Sequence, residues 1–309
     1  MNITKIDIGI SKIRKIYHIG DVHIRNLKRH HEYRIVFNRL EEAIKKTITP
    51  DDIIYIAGDI VHTKTDMTPE LVQAVQDFFK RIADLGKTIL ITGNHDCNLN
   101  NKSRLDALTP IVNALNHPNL LYLKDSGIYE IADKHFVVMS VFDKPKDFIK
   151  ADSFAGKYKI ALHHGAVNSA VTDIGFILVN DHVDLNTFEG YDLTLLGDIH
   201  KPAQYLNKEK TVAYCGSTIQ QNHSEALEHG MLIWDTFTKN SEFVVIPNDF
   251  CYYTVEIENG VYNSLPSILS DKNIRLRVKV KNTSAADLKK IVAEIKSKYH
   301  IEEYTRSEE

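Results

Sequence analysis

The sequence predicts a mixed α/β sandwich flanked by helices, followed by a small C-terminal α+β domain. Strand and helix signals alternate at the start of the chain, and strand signals follow one another from about residue 120. After the segment PNDF, at residues 247–250, the composition changes again. We therefore expect one domain over residues 1–249 and a second over residues 250–309.

The first part of the chain supplies strands and helices in turn. Three short apolar runs predict strands here: KIYHIG, DIIYIAG and KTILITG. A helix is expected from about His31 to Lys46. A second helix is clearly bounded, because Thr68 can cap its N-terminus, Pro69 fits its first turn and Gly86 can end it.

The later part of the chain is dominated by strand signals. Eight runs after Leu120 predict strands: LLYLKD, GIYEIA, HFVVMSVF, YKIALHH, LTLLGD, TVAYCG, GMLIWDTF and EFVVIP. The C-terminal domain then combines CYYTVEIE, IRLRVKVK and the helical segment SAADLKKIVAEIKSKY. The alternation in IRLRVKVK places Arg275, Arg277, Lys279 and Lys281 on one strand face, which fits either a DNA contact or a simple solvated face.

Composition limits the class of protein. The chain has 309 residues, of which 43% are hydrophobic and 26% charged, as in ordinary globular proteins. No apolar run reaches the roughly 18–20 residues that span a bilayer, and the N-terminus lacks the pattern of a signal peptide. Three widely separated cysteines do not form a disulfide framework, which favours a reducing cytoplasm. The net charge of −3 neither requires nor excludes nucleic acid.

Polar residues follow five of the predicted strands. Strand ends are where α/β folds build their sites, so we expect these residues to converge. Their carboxylate, imidazole and amide groups suit Mn, Fe, Zn or Mg, and a bridging carboxylate allows two ions to bind together. The five sets are Asp21 and His23; Asp59 and His62; Asn94, His95 and Asp96; His163 and His164; and Asp198 and His200.

This series of motifs resembles the calcineurin-like metallophosphoesterase superfamily. It is most similar to the SbcD-type DNA-repair nucleases and their phage recombination-endonuclease relatives. Two features support that branch. His62 closes GDIVH, and the family's run that begins at its last metal motif and continues through a Y-x-G-S segment to a closing strand is similar to GDIHKPAQYLNKEKTVAYCGSTIQQNHSEALEHGMLIWD. The resemblance covers about residues 16–248.

The resemblance implies a role for each polar residue. His95 would contact the phosphate and protonate the leaving oxygen, Asp96 would orient the ring of His95, and His62 would position the scissile phosphate. Asp198 stands where the nucleases usually carry histidine, and His164 where they often carry glutamine. Asp21, His23, Asp59 and His200 would hold one metal ion. The other metal ion would be held by Asp59, Asn94, His163 and Asp198. The DNA backbone would be held by Arg25, Lys28 and Arg29.

The resemblance also implies an activity. We expect a Mn-dependent 3′-to-5′ exonuclease and single-strand endonuclease that acts on duplex and single-stranded DNA ends in a bacterial or phage-infected cell. Such nucleases are dimers bound to an SbcC-like SMC-family ATPase, and this chain lacks a P-loop of its own. The C-terminal domain would cap the DNA, and the ATPase-docking segment would be missing or shortened. The alternatives are a phosphodiesterase or phosphatase acting on small molecules or phosphoproteins, and an inactive binding module.

Overall fold

The computed structural model describes residues 2–179 and 183–308. The chain divides into two compact units, one of Met1–Ile219 with Glu228–Ile246 and one of Gln220–Leu227 with Pro247–Glu309. The sequence places residues 220–227 in the first domain, whereas the structure groups them with the second unit. Within the described residues, no helix is both long enough and apolar enough to cross a bilayer.

Two sheets form the first unit. The larger has seven strands in the order β1-β6-β7-β8-β9-β11-β10, and the other has six in the order β13-β12-β2-β3-β4-β5. In chain order the strands are β1 (Ile3–Ile6), β2 (Lys15–Ile19), β3 (Ile53–Ile56), β4 (Lys87–Leu90), β5 (Leu120–Tyr122), β6 (Gly127–Ile131), β7 (Lys134–Met139), β8 (Lys159–His164), β9 (Leu193–Gly197), β10 (Gln204–Tyr205), β11 (Val212–Tyr214), β12 (Gly230–Asp235) and β13 (Ser241–Val245).

The sheets pack face to face. Ile53 and Tyr55 of β3 lie in one apolar cluster with Ile160 and Leu162 of β8, so alternate residues of each strand fill the space between the sheets. The outer face of the six-stranded sheet is covered by three helices: α1 (His30–Lys45), α2 (Pro69–Leu85) and α3 (Thr109–Leu115). The predicted mixed α/β sandwich flanked by helices is confirmed.

The second helix begins and ends where the sequence indicates. The Thr68 side chain accepts a hydrogen bond from the N–H of Leu71, and Pro69 occupies the first turn. Leu71, Val75 and Phe79 are buried against the six-stranded sheet. Burial of this apolar stripe, and not a polar function, explains the helix.

The second unit is a small α+β fold. A four-stranded sheet in the order β15-β14-β16-β17 packs its apolar side chains with Leu288, Ile291 and Ile295 of a helix. β14 and β17 both run parallel to β16. The elements are β14 (Phe250–Glu258), β15 (Val261–Tyr262), β16 (Asn273–Lys281), α4 (Ala285–Lys298) and β17 (Ile301–Glu308).

Candidate metal centre

Polar side chains from both sheets of the first unit meet at the carboxyl ends of parallel strands. β2, β3 and β4 run parallel in one sheet, and β8 and β9 run parallel in the other. The loops after these strands bring together most of the residues that the sequence singles out. This arrangement follows the general rule that open α/β sheets place ligands beyond the carboxyl ends of their strands.

The first group of ligand atoms contains Asp21, His23 and His200. Each of these side chains offers one atom that lies within 4.8 Å of the others. The Nε2 atom of His23 lies 3.1 Å from Nε2 of His200 and 3.4 Å from Oδ2 of Asp59. These are the four residues expected to hold the first metal.

The second group surrounds the ring of His164. Its Nε2 atom lies 3.0 Å from Oδ1 of Asn94, 3.4 Å from Oδ1 of Asp59 and 3.7 Å from Oδ1 of Asp198. The Nδ1 atom lies 2.6 Å from the carbonyl oxygen of Ala57, which can only accept a hydrogen bond. That contact places the proton on Nδ1 and leaves the Nε2 lone pair available for a metal.

Asp59 belongs to both groups. Its Oδ2 atom faces His23, and its Oδ1 atom faces His164. A carboxylate with one oxygen in each group has the arrangement needed to bridge two cations.

The prediction that His163 is a ligand is wrong. His163 points to the opposite face of β8, where its Nδ1 atom lies 2.8 Å from the carbonyl oxygen of Met139 and its ring packs against Phe148 and Phe188. The side-chain period of two explains the difference, because His164 shares the face of Ile160 and Leu162, which points between the sheets. The structure therefore places His164, and not His163, among the other candidate ligands.

His95 lies beside the first group, but Asp96 does not orient it. The Nδ1 atom of His95 lies 2.7 Å from the backbone carbonyl oxygen of His62, and its backbone N–H donates to Oδ1 of Asp59 at 2.8 Å. The His95 ring packs edge-on against His23, with ring centres 4.8 Å apart. The resemblance implies that Asp96 orients the His95 ring, but in the structure the His62 carbonyl makes the contact that orients it.

Asp96 holds the backbone of the metal loops instead. Its carboxylate accepts hydrogen bonds from the N–H groups of Asp59, Ile60, Val61 and Gly93 at 2.8–3.1 Å. Its side chain is fully buried. Asp96 therefore fixes the position of Asp59 without facing the reacting groups.

Four ligand residues have backbones in the left-handed region. The φ angles are 51° at Asp21, 49° at His23, 52° at Asp59 and 103° at Asp198. Such angles are uncommon for residues other than glycine and are concentrated at functional sites. Gly93 permits the close approach, because a Cβ atom there would lie 2.1 Å from Oδ1 of Asp59.

The charges of the site favour cations. Burial raises the pKa of Asp21 to about 7. Burial opposes protonation of His164, but the surrounding carboxylates, led by that of Asp59, raise its pKa well above the ordinary value. Three carboxylates, two of them buried, and three imidazoles that converge in this way fit two divalent ions, because the cations would offset the repulsion among the carboxylates.

The predicted DNA-binding residues differ in their availability. Lys28 is exposed, and Arg25 is half-buried beside the site. Burial lowers the pKa of His62 to about 4, and the nearby charge of Arg25 acts in the same direction. Arg29 is wrong as a DNA contact, because its guanidinium is buried and forms a two-pronged ion pair with Glu32 at 2.8 Å. The Arg29 side chain stabilises the start of α1 instead.

The basic strand face of the second unit is largely neutralised by acidic neighbours. Arg275 is buried and lies 3.1 Å from a carboxylate oxygen of Glu302, and Lys281 lies 2.8 Å from Glu258. Acidic residues on both flanking strands thus offset the positive charges of β16. This pairing leaves less positive charge for a DNA contact than the alternation in the sequence indicates.

Comparisons with known proteins agree with the geometry of the site. The sequence model of the calcineurin-like phosphoesterase family matches residues 14–207. The chain is 41% identical over 315 residues to "Uncharacterized protein R555" of Acanthamoeba polyphaga mimivirus, covering 97% of this chain and 23% of that protein. It therefore spans less than a quarter of the length of this relative.

Two further similarities are more distant. "Putative phosphoesterase 244L" of Invertebrate iridescent virus 6 is 23% identical over 233 residues, covering 71% of this chain and 75% of that protein. The crystal structure of the cold-active protein-tyrosine phosphatase of a psychrophilic Shewanella species matches with a TM-score of 0.36 and 12% identity, covering 80% and 82% of the two chains. That structural similarity carries no argument about function.

Proposed function

Because this chain belongs to the calcineurin-like phosphoesterase family, we propose that it is a phosphoester hydrolase and that it cleaves the phosphodiesters of DNA with the help of two divalent ions. The observation that carries the proposal is the position of Asp59. One of its oxygens faces each group of ligand atoms, and its neighbour His95 lies at the edge of the site.

Seven residues would hold the ions. When bound, two cations neutralise an anionic phosphodiester and lower the pKa of a water that attacks it. The mixed nitrogen and oxygen donors are compatible with Mn, which we propose as the activating ion, and also with Mg, Fe or Zn. One set consists of Asp21, His23 and His200, and the other set consists of Asn94, His164 and Asp198. Asp59 belongs to both sets.

His95 supplies the proton for the leaving oxygen. Its Nδ1 atom donates to the His62 carbonyl, which fixes the plane of the ring and directs Nε2 away from that carbonyl. When the ring carries a second proton, Nε2 can donate it to the oxygen that departs from phosphorus. The His62 ring stacks on His95 with centres 5.8 Å apart, and we assign it to positioning the phosphate.

The proposal of DNA as the substrate rests on the nuclease-like motifs and on two positively charged side chains, those of Arg25 and Lys28. His62 ends the segment GDIVH, and Arg25 lies close enough for its charge to act on the His62 ring. Arg25 and the exposed Lys28, three positions further along the chain, can contact a nucleic-acid backbone through salt-sensitive interactions. Homodimer formation, an SbcC-like ATPase partner and a DNA-capping role for the second unit belong to the same proposal.

One experiment tests the substrate. Purified protein is incubated with end-labelled duplex and single-stranded DNA, Mn and a matched series of other divalent ions, with His95→Asn as the inactive control. We expect Mn-dependent shortening of DNA by the wild type and none by His95→Asn. Hydrolysis of a phosphopeptide or a cyclic nucleotide, with DNA left intact by the wild type, would replace the nuclease proposal with the small-molecule or phosphoprotein alternative.

A further inference from the structure

We propose that the first unit has a second ligand site, a cavity behind the metal loops that binds a small anion with an apolar ring. The cavity has a volume of about 360 Å³, within the range of small-molecule sites. It lies among α2, α3 and the segments that follow β3 and β4. Its apolar lining includes Met67, Val72, Leu105, Pro110 and Ile111.

The carboxylates that line the cavity already have their partners. Asp106 accepts hydrogen bonds from the N–H and hydroxyl of Thr109 at 2.7 and 2.6 Å, and it pairs with Lys124 at 2.8 Å. Asp96 is occupied by the four N–H groups of the metal loops. Neither acidic side chain therefore offers an unsatisfied acceptor to a cationic ligand.

The cations that line the cavity do have free donors. The guanidinium of Arg104 makes no hydrogen bond or ion pair with any residue in the described part of the chain. Lys64 uses one donor, to the backbone carbonyl of Asn94 at 2.9 Å, and an ammonium group has three. Positive charge beside an apolar cavity matches a ligand with an aromatic or alicyclic body and a carboxylate, sulfonate or phosphate group.

The cavity is connected to the metal centre through Lys64. Its ammonium group contacts the carbonyl oxygen of Asn94, whose side chain belongs to the second ligand group. Cys97 forms another part of the wall, and its thiol contacts the carbonyl oxygen of Gly93 at 3.4 Å. An anion that draws Lys64 toward the cavity would change the position of the loop that carries Asn94.

Binding is tested with 8-anilinonaphthalene-1-sulfonate, an aromatic sulfonate that fluoresces when it enters an apolar site. The protein is first freed of metal with EDTA, so the result does not depend on the proposed nuclease activity. Two variants alter the cavity: Ala114→Phe narrows it, and Arg104→Gln removes a cation. Two controls change exposed residues elsewhere: Phe176→Ser removes an exposed aromatic side chain, and Lys208→Gln removes a surface charge.

We expect saturable binding of one probe molecule per chain, weakened at least tenfold in both cavity variants and unchanged in both controls. No saturable binding, equal binding by Ala114→Phe, or loss of binding in Phe176→Ser would overturn the proposal. Circular dichroism shows whether Ala114→Phe is folded, and the exposed position of Arg104 makes the second variant an independent test.

The connection through Lys64 has its own measurement. With metal restored, a saturating concentration of the probe should change the rate of bis-p-nitrophenyl phosphate hydrolysis by the wild type severalfold and leave Ala114→Phe unaffected. A probe that binds the cavity without changing this rate would contradict the connection to Asn94.

Discussion

Replacing Asp96 by asparagine tests whether its carboxylate holds the metal loops together. Each carboxylate oxygen accepts two backbone N–H groups: Oδ1 those of Ile60 and Val61, and Oδ2 those of Asp59 and Gly93. An asparagine side chain has one oxygen and one NH₂ group. In either orientation, two of the four buried N–H groups would face a donor in place of an acceptor.

The expected cost follows from that count. A buried donor left without a partner costs about 1–3 kcal/mol, so two of them predict a loss of about 2–6 kcal/mol in the free energy of unfolding. Total stabilities are about 5–15 kcal/mol, so this loss would be easy to measure. The metal affinity should fall as well, because the N–H of Asp59 is one of the groups that lose an acceptor.

Urea unfolding of the metal-free protein, followed by circular dichroism, measures the effect. Asp152→Asn is the matched control, since Asp152 is exposed and makes no hydrogen bond through its side chain to any described residue. We expect Asp152→Asn to match the wild type within about 0.5 kcal/mol. An Asp96→Asn variant that loses less than about 1 kcal/mol would refute the assignment of Asp96 as the acceptor that holds these loops.

Three further substitutions test other parts of the account. Arg29→Ala breaks a buried ion pair with Glu32 and should lower the free energy of unfolding by about 3–5 kcal/mol in urea titrations, whereas a purely DNA-contacting role predicts no change. Burial acts to raise the pKa of Asp106, but the hydrogen bonds and the charge of Lys124 outweigh it and hold this pKa below its ordinary value. The ionised Asp106 carboxylate therefore stabilises the fold above about pH 4, and this stabilisation is lost as the pH falls. Asp106→Asn should therefore flatten the dependence of the unfolding free energy on pH below about pH 4. Asp198→His should strengthen zinc binding relative to manganese in calorimetric titrations, and an unchanged preference would contradict the role of its carboxylate.

Much of the fold could be predicted because local signals agree with the final packing. The capping threonine, first-turn proline and terminal glycine set the bounds of α2 within a residue. The strand-end position of the polar motifs also gave the location of the site, because parallel strands of a sheet end on the same edge.

The choice between His163 and His164 shows where local signals fail. β8 is buried on both faces from Ile160 onward, so the three residues before the two histidines are all apolar and carry no alternation. Which face points between the sheets depends on the partner strands, and only the assembled sandwich decides it. The shared face of Ile160, Leu162 and His164 then identifies the ligand.

Long-range contacts account for the other differences. Three of the four N–H groups that donate to Asp96 belong to residues 35–37 positions earlier in the chain. The His62 carbonyl that orients His95 lies 33 positions away. The positive charges of Arg29 and Arg275 look available in the sequence, but partners brought by the fold neutralise both. Motif spacing does not contain this information.

Asp59 joins the two groups of candidate ligand atoms, and we propose that His164 completes the second metal site. Calorimetric titration of the metal-free protein with Mn measures how many ions each chain binds. Mass spectrometry after dialysis checks the metal content. We predict two ions per chain for the wild type and for His163→Phe, which keeps a ring among Phe148 and Phe188, and one for His164→Ala. Two ions retained by His164→Ala, together with loss of one in His163→Phe, would contradict the account.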